Sequence, residues 1–273
     1  MKLSLNSSTI QPTPLLEKIR VTGEAGYQGI ELWAVELYQH VGRGGEISDV
    51  EKALSDHGLE VPCLIAVRGW GETIGREYDL ALDEARRRFE LAARLGCPLV
   101  VCTPPIEQPG IEHLHERYSD LLRIGKEAGV QPVLEYISFF ASLNNVPDAV
   151  EVMGRCDPAL SPVTILDAFH SWNNRTTLDD IEKLPLEQIS HYHIDDAAPG
   201  IPAGEQVDTD RVMVGDGVID LKTELTLLKE KGYDKWLSLE LFSQQWWDRD
   251  PAETAKIGLE RMQELCAEVG WEV

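Results

Sequence analysis

Short apolar runs alternate with longer amphipathic segments from one end of the chain to the other. In the amphipathic segments apolar positions recur every three or four residues, as Leu15 and Ile19 do, which is typical of a helix with one buried face. The short runs are bounded by turn residues and indicate strands. The predicted strands are Lys2–Leu5, Gly29–Trp33, Val61–Val67, Pro98–Thr103, Pro132–Ile137, Pro162–Leu166, Ile189–Ile194 and Trp236–Leu241. The predicted helices are Pro14–Tyr27, Ile47–Gly58, Tyr78–Gly96, Gly110–Ala128, Pro147–Arg155, Thr177–Lys183, Leu221–Gly232 and Pro251–Val269.

This alternation predicts a parallel sheet, because parallel neighbours need a crossover helix between them. Eight strand–helix units in 273 residues average about 34 residues each, the size expected of a (β/α)8 TIM barrel. An open doubly wound sheet is the alternative, but its GxGxxG loop is absent after the first strand. With no linker or low-complexity tract in view, we expect a single TIM-barrel domain over residues 1–273.

Four chemically active side chains stand at the ends of four consecutive predicted strands, where a barrel places its active site. Apolar residues flank each of them in the sequence, and a buried carboxylate is costly unless it is paired or binds a metal. Three carboxylates and one imidazole suit Mn²⁺, Mg²⁺ or Co²⁺ and also accept Zn²⁺. The predicted ligands of one divalent ion are Glu135, Asp167, His193 and Glu240.

Salt bridges are the alternative explanation for these acids, with Arg68 or Arg211 as the partner of Glu135 and Glu240. His191 precedes His193 by two positions, and we expect only one of the two to face the barrel mouth while the other packs against a helix.

Other polar or aromatic residues near strand ends are further candidates. Glu31 has the same apolar–acid–apolar pattern on the second strand, which indicates either a contact to the metal ligands or a contact to substrate. Trp70 follows the third strand and is either a pocket wall or a core residue. Arg211 is either a substrate clamp or a surface residue. We count Glu31, Arg68, Trp70 and Arg211 as predicted substrate-binding residues.

The composition restricts the partners. With 25 basic and 47 acidic residues the formal charge is −22, which argues against a protein that holds the nucleic-acid backbone. No apolar run approaches the length of a membrane span, so we expect no membrane partner. The five cysteines are odd in number, scattered and without CxxC spacing, which favours free thiols and a cytoplasmic location.

Several segments together resemble the sugar isomerase and epimerase barrels of the xylose-isomerase-like superfamily, most closely its inosose isomerase branch. The resemblance covers essentially the whole chain and is densest from Leu134 to Leu241. The segments that carry it are Met1–Asn6, Leu166–His170, Tyr192–Asp196, Asp210–Leu221 and Ser238–Phe242.

The resemblance implies that the four predicted ligands hold the metal, that His170 touches substrate, and that Glu135 and Glu240 act as the acid/base pair. The chain departs from the ketohexose epimerases at Pro199 and Ala141, where those enzymes carry an arginine and a glutamate.

We therefore expect a metal-dependent isomerase or epimerase of a keto-polyol or keto-sugar, working by proton transfer through a cis-enediolate. A dehydratase acting on a related cyclic hydroxyketone is the alternative, as in relatives that dehydrate inosose or dehydroshikimate. A DNA-repair endonuclease and a non-catalytic sugar-binding barrel are weaker alternatives. By analogy with the superfamily, the expected assembly is a homodimer or homotetramer.

Overall fold

A closed barrel of eight parallel strands forms the centre of the molecule in a computed structural model that describes residues 1–107 and 112–273. The predicted (β/α)8 fold is confirmed. Around the barrel the strands follow one another in chain order, and the first strand pairs with the last to close the ring. The barrel strands are β1 (Lys2–Asn6), β2 (Gly29–Trp33), β3 (Cys63–Val67), β4 (Leu99–Cys102), β5 (Gln131–Leu134), β6 (Val163–Asp167), β7 (Ile189–Ile194) and β10 (Trp236–Leu239). Two short strands outside the barrel, β8 (Asp196–Ala197) and β9 (Arg211–Val212), pair antiparallel.

The helices pack their apolar faces on the outside of this ring. They are α1 (Leu15–Ala25), α2 (Ala34–Gly42), α3 (Ile47–Asp56), α4 (Arg76–Arg94), α5 (Leu114–Ala128), α6 (Val146–Gly154), α7 (Ala168–Asn173), α8 (Leu178–Lys183), α9 (Leu221–Glu230), α10 (Gln244–Trp247) and α11 (Pro251–Val269). The helix predicted over Gly110–Ala128 begins at Leu114, and its first two predicted residues lie outside the described part of the chain.

Three helices that the sequence did not predict follow barrel strands almost at once: α2 after β2, α7 after β6, and α10 after β10. They are short, so they show little periodicity in the sequence. The start of α7 is fixed by Asp167, whose side chain accepts a hydrogen bond from the backbone N–H of His170 at 2.7 Å. The last residue of β6 therefore both ends a strand and caps a helix.

Apolar side chains fill the barrel and the layer between barrel and helices. Leu3, Leu5, Ile30 and Leu239 are among the many that are fully buried. Within the described ranges, no helix has the length and apolar character needed to cross a membrane. Asn6, Asp167 and His193 are buried polar residues toward the C-terminal ends of the strands, and that end holds the site described next.

Candidate metal centre

The four predicted metal ligands come together at the C-terminal end of the barrel. Asp167 is the last residue of β6 and is paired in register with His193 on β7. Glu135 and Glu240 each lie one residue beyond the end of β5 and β10. The predicted strands ran a little further because those residues sit in apolar surroundings, but regular pairing stops just before the acids.

Asp167, His193 and Glu240 form one of the two tight groups of possible metal ligands among the described residues. One donor atom from each lies within 4.8 Å of the others. His193 Nδ1 is 3.0 Å from Glu240 Oε2 and 3.8 Å from Asp167 Oδ2. All three side chains are almost completely buried. Two carboxylates and an imidazole therefore face one another in a buried space, where an unpaired charge is costly.

Glu135 lies on the wall of a small, partly open pocket beside this group. Its Oε2 accepts a hydrogen bond from Thr103 Oγ1 at 3.1 Å. Burial, reinforced by the nearby charge of Glu240, raises the pKa of Glu135 to about 8. Glu135 is not one of the three residues in the tight group, although it faces the same space. The pocket is lined by Trp33, Ile65, Arg68, Thr103, Glu135, Ile137, His170, Asp208, Arg211, Glu240 and Phe242.

Arg211 enters this site from the loop after β7. Its guanidinium is about 1% exposed, and Nη1 donates to Asp167 Oδ2 at 2.8 Å and to Asp195. Nη1 also lies 3.6 Å from Glu240 Oε2. A surface position for Arg211 was one of two sequence interpretations, and the structure excludes it. The guanidinium balances buried carboxylates that would otherwise be costly.

His170 is also buried in the pocket wall. Arg211 Nη2 lies 3.0 Å from its Nε2, and a guanidinium can only donate, so Nε2 is the acceptor. The ring proton is then on Nδ1, which lies 3.1 Å from Ser138 Oγ. Burial lowers the pKa of His170, and the charge of Arg211 adds to that effect. His170 is therefore a neutral imidazole beside the pocket.

The charges of this cluster shift its other pKa values strongly. Burial acts to raise the pKa of Asp167, but Arg211, His170 and His193 outweigh it and hold that pKa well below its usual range. Burial acts to lower the pKa of His193, but Glu240, Glu31 and Asp167 raise it well above its usual range. These shifts follow from the opposite charges that the cluster brings together in a buried space.

The residues present fit a divalent cation. Nδ1 of His193 is buried and has no aligned hydrogen-bond partner among the described residues, although it faces two carboxylate oxygens. One nitrogen and several hard oxygen donors match the preferences of Mn²⁺, Co²⁺ and Zn²⁺. Asp167, His193 and Glu240 would hold the ion, with Glu135 as the candidate fourth ligand.

His191 and Glu31 lie deeper in the barrel than the sequence analysis expected. His191 Nε2 is 3.1 Å from Glu31 Oε1, and His193 Nε2 is 2.8 Å from Glu31 Oε2. Since β2 and β7 are not neighbours in the ring, these contacts cross the barrel interior. The expectation that one histidine packs against a helix is wrong, because residues two apart on a strand share a face. Glu31 is fully buried, does not line the pocket and contacts both histidines, which agrees with the first of its two interpretations, a contact to the predicted metal ligands.

Arg68 and Trp70 lie in different environments. Arg68 is exposed at the pocket and, in the described ranges, has no hydrogen bond or ion pair. Trp70 is fully buried against Tyr118 and does not line the pocket. Its indole donates to the backbone oxygen of Thr103 at 2.7 Å, so it supports the pocket wall, and its contact with substrate stays a prediction.

Sequence reasoning missed three polar residues of the site. Asn6, at the end of β1, donates to Glu240 Oε1 at 2.7 Å and to Glu31 Oε2 at 3.0 Å. Asp195 holds Arg211, and Thr103 holds Glu135. Each lies at or just beyond a strand end, as the predicted ligands do. Position at a strand end is the sequence signal that these three residues share with the predicted ligands.

The fold and this strand-end site define a family of TIM barrels. The sequence profile of the xylose isomerase-like TIM barrel family matches residues 19–265, and the chain belongs to this family. The resemblance noted from the sequence is confirmed.

The relatives carry several activities. An inosose isomerase of Halalkalibacterium halodurans is 26% identical over 267 residues, covering 94% of this chain and 93% of that protein. A 3-dehydroshikimate dehydratase of Pseudomonas aeruginosa is 27% identical over 251 residues, 89% of this chain and 38% of that protein. The solved structure of an IolI protein with a bound zinc atom has a TM-score of 0.91, covering 98% of this chain and 99% of that one at 22% identity.

Proposed function

We propose that this protein is a divalent-metal-dependent isomerase or epimerase of a keto-polyol or keto-sugar. The observation that carries the proposal is the buried group of Asp167, His193 and Glu240 beside a pocket that also exposes Glu135. The relatives named inosose isomerase support a small polyhydroxylated ketone as substrate. The related solved structure holds a zinc atom, which supports a bound divalent ion in this chain, with Mn²⁺, Co²⁺, Mg²⁺ or Zn²⁺ as the native metal.

The ion, when bound, supplies a Lewis acid that polarises the substrate carbonyl and acidifies the neighbouring C–H. Glu135 and Glu240 are the proposed acid/base pair. One carboxylate removes the proton from the carbon beside the carbonyl; the C–H electron pair becomes the double bond of an enediolate, and the carbonyl π pair moves to its oxygen. The ketone moves when a proton returns to the former carbonyl carbon, the neighbouring hydroxyl gives up its proton to become the new carbonyl, and the former carbonyl oxygen takes up a proton. The configuration inverts when the proton returns to the carbon it left, from the opposite face, and the original carbonyl re-forms.

The remaining polar groups of the pocket hold the substrate in this proposal. His170, Arg68 and Arg211 line the pocket and offer hydrogen-bond donors or acceptors to hydroxyl groups. Trp33 and Phe242, whose rings meet edge to face at 6.0 Å, form an apolar wall against the C–H face of a ring. The five free, buried cysteines suit the cytoplasmic location that we propose with this function.

A dehydratase is the second candidate, favoured by the relatives named 3-dehydroshikimate dehydratase. In that reaction the same carboxylate removes the proton, but the electron pair expels a β-hydroxyl, which leaves as water once it is protonated. The product is a conjugated enone with new ultraviolet absorption, whereas isomerisation forms no such chromophore.

The first experiment measures metal content by elemental analysis, in the wild-type protein and in Asp167→Ala, His193→Ala and His57→Ala. We expect about one equivalent in the wild type and in the His57 control, and loss in the other two. Absence of metal from the wild type after incubation with Mn²⁺, Co²⁺ and Zn²⁺ would contradict the proposal.

The second experiment follows turnover of 2-keto-myo-inositol and of ketohexoses by NMR, with ultraviolet absorption recorded in parallel. Glu240→Gln is expected to lower kcat by about 10²- to 10⁴-fold because a positioned proton-transfer group is removed. An unchanged kcat would exclude Glu240 as acid or base. A rise in ultraviolet absorption would assign the dehydratase reaction instead.

A further inference from the structure

A second buried cluster lies directly beneath the proposed metal ligands, inside the barrel. It consists of Glu31 on β2, His191 on β7 and Asn6 at the end of β1, and all three side chains are fully buried. The proposed acid/base pair and the pocket do not include them. Glu31 and His191 nevertheless contact His193, and Asn6 contacts Glu240.

The proton positions around Glu31 follow from its chemistry. Its carboxylate can only accept hydrogen bonds when ionised, and Nε2 of His193 lies 2.8 Å from Oε2. That nitrogen must therefore carry a hydrogen and donate it. Nδ1 of the same ring is left on the side of Glu240 and Asp167, where the ion is proposed to bind. Glu31 thus determines which ring nitrogen is available.

Asn6 acts in the same way on Glu240. Its amide nitrogen donates to Glu31 Oε2 at 3.0 Å and to Glu240 Oε1 at 2.7 Å, which uses both of its hydrogens. Its Oδ1 accepts from the indole of Trp33 and from the backbone N–H of Ser8, each at 3.0 Å, so the amide cannot turn over without losing these bonds. Glu240 Oε1 is occupied, and Oε2 is the oxygen that remains beside His193 Nδ1.

His191 is the third residue of the cluster and lies beside Glu31 and His193. Its Nε2 lies 3.1 Å from the second oxygen of Glu31, and its ring packs edge to face on His193 at 5.1 Å. Glu31 is hydrogen-bonded to His193 and Asn6, while His191 Nε2 lies near its other oxygen without an aligned hydrogen bond. A carboxylate in such surroundings stays ionised and keeps one rotamer.

We propose that Glu31, with Asn6 and His191, is a positioning group that presents Nδ1 of His193 and Oε2 of Glu240 to the ion before the ion arrives. This inference rests on the metal centre proposed above. Residues behind a metal ligand commonly orient it and change metal affinity when they are replaced. Here the orientation is imposed from β1 and β2, across the barrel from the β7 histidine.

The test uses the full-length protein and Zn²⁺, which is diamagnetic. Glu31→Gln is compared with the wild type and with Glu224→Gln, a control that makes the same substitution at another buried glutamate, on α9. The dissociation constant for Zn²⁺ is measured by competition with a chelator. The Nε2–H of His193 is followed by ¹H–¹⁵N NMR and assigned by its loss in His193→Gln.

We expect Glu31→Gln to weaken Zn²⁺ binding by about 10- to 100-fold and to lose the protected Nε2–H signal. The Glu224→Gln control is expected to keep the wild-type affinity for Zn²⁺ and the Nε2–H signal. Zn²⁺ affinity within about twofold of the wild type, with the Nε2–H signal retained, would overturn the inference. Failure of the wild type itself to bind Zn²⁺ would overturn the proposed metal centre as well. That outcome is distinct from failure of the inference alone, because it is seen in the wild type without any variant.

Asn6→Ala provides a second route if Glu31→Gln does not fold. It frees Glu240 but leaves the Glu31–His193 hydrogen bond in place. We expect weaker Zn²⁺ binding with the Nε2–H signal preserved. Unchanged affinity would remove Asn6 from the positioning group and contradict the inference.

Discussion

Buried acids dominate the chemistry of this molecule at the scale of single residues. Inside the barrel mouth, Asp167 and Asp195 remain compatible with burial because Arg211 lies between them. Glu31 is stabilised by two histidines, and its pKa is lowered well below its usual range although burial acts to raise it. Each ionised acid therefore has a named cation or donor beside it, as the cost of burying a charge requires.

Glu224, like Glu135, has a raised pKa, and it yields a pH prediction. It lies on α9 behind the barrel wall, and burial raises its pKa from an ordinary value of 4.5 to about 8. The phenol of Tyr192 opposes this shift, while the charges of Asp167 and Asp220 add to it. Between those two pH values the native state binds more protons at Glu224 than the unfolded state does, so stability is lost as pH rises.

We expect the free energy of unfolding of the wild type to fall relative to Glu224→Gln as pH rises through this window, by at most about 1.4 kcal/mol per pH unit. Urea unfolding of both proteins at several pH values measures the difference. Glu230→Gln, an exposed residue on the same helix, is the control and should run parallel to the wild type. Parallel curves for Glu224→Gln would show that Glu224 titrates normally.

At the scale of elements, the segment between β7 and α9 matters most, because it carries Arg211 into the site. Asp196, near the start of this segment, is hydrogen-bonded to residues near its end. Its carboxylate accepts hydrogen bonds from the backbone N–H groups of Gly215, Gly217 and Ile219 at 3.2, 3.1 and 2.9 Å. The strands β8 and β9 then pair and set the position of Arg211, the first residue of β9.

Gly217 allows this close approach. A Cβ at that position would lie 2.3 Å from Asp196 Oδ1 and 2.4 Å from the backbone oxygen of Ala197, which is too close for either to remain in place. We expect Gly217→Ala to loosen the segment, displace Arg211 and lower kcat by about a hundredfold, since positioning errors of an ångström have effects of that size.

Hydrogen exchange across residues 196–220 measures the loosening without reference to activity. Gly154→Ala is the matched control, because nothing lies within 4 Å of the Cβ it would add. Unchanged protection and kcat in Gly217→Ala would mean that the segment does not depend on the Asp196 contacts.

At the scale of the whole molecule, the proposed metal centre joins the two ends of the chain. Asn6 and Glu240 are 234 positions apart, and they meet because β1 pairs with β10 to close the barrel. The ligand groups disperse when the barrel unfolds. An ion that binds only the folded state must therefore stabilise the whole fold.

We expect Zn²⁺ or Mn²⁺ at about 100 times its dissociation constant to raise the free energy of unfolding by about 2.7 kcal/mol. Urea unfolding with the ion and with a chelator measures this gain. His193→Ala should show no gain from the ion. An equal gain in wild type and variant would indicate binding elsewhere, for example on the surface of a chain whose formal charge is −22.

The sequence by itself determined the class of fold and the ring of candidate ligands. Strand and helix periodicities are local, and in a parallel barrel the residues that end successive strands must meet at one rim. That reasoning located Glu135, Asp167, His193 and Glu240, and the structure brings them to one site. It missed the short helices after β2, β6 and β10, which are too brief to display a period.

Only the tertiary structure decided how these residues are supported. The contact of Glu31 with His193 joins positions 162 apart on strands that are not neighbours, and no local pattern encodes it. The burial of Arg211 depends on how the segment between β7 and α9 folds back over the barrel. The burial of Trp70 depends on the direction of its side chain in the loop after β3. Such contacts depend on barrel diameter and on the layer each side chain occupies, and these emerge only when the ring closes.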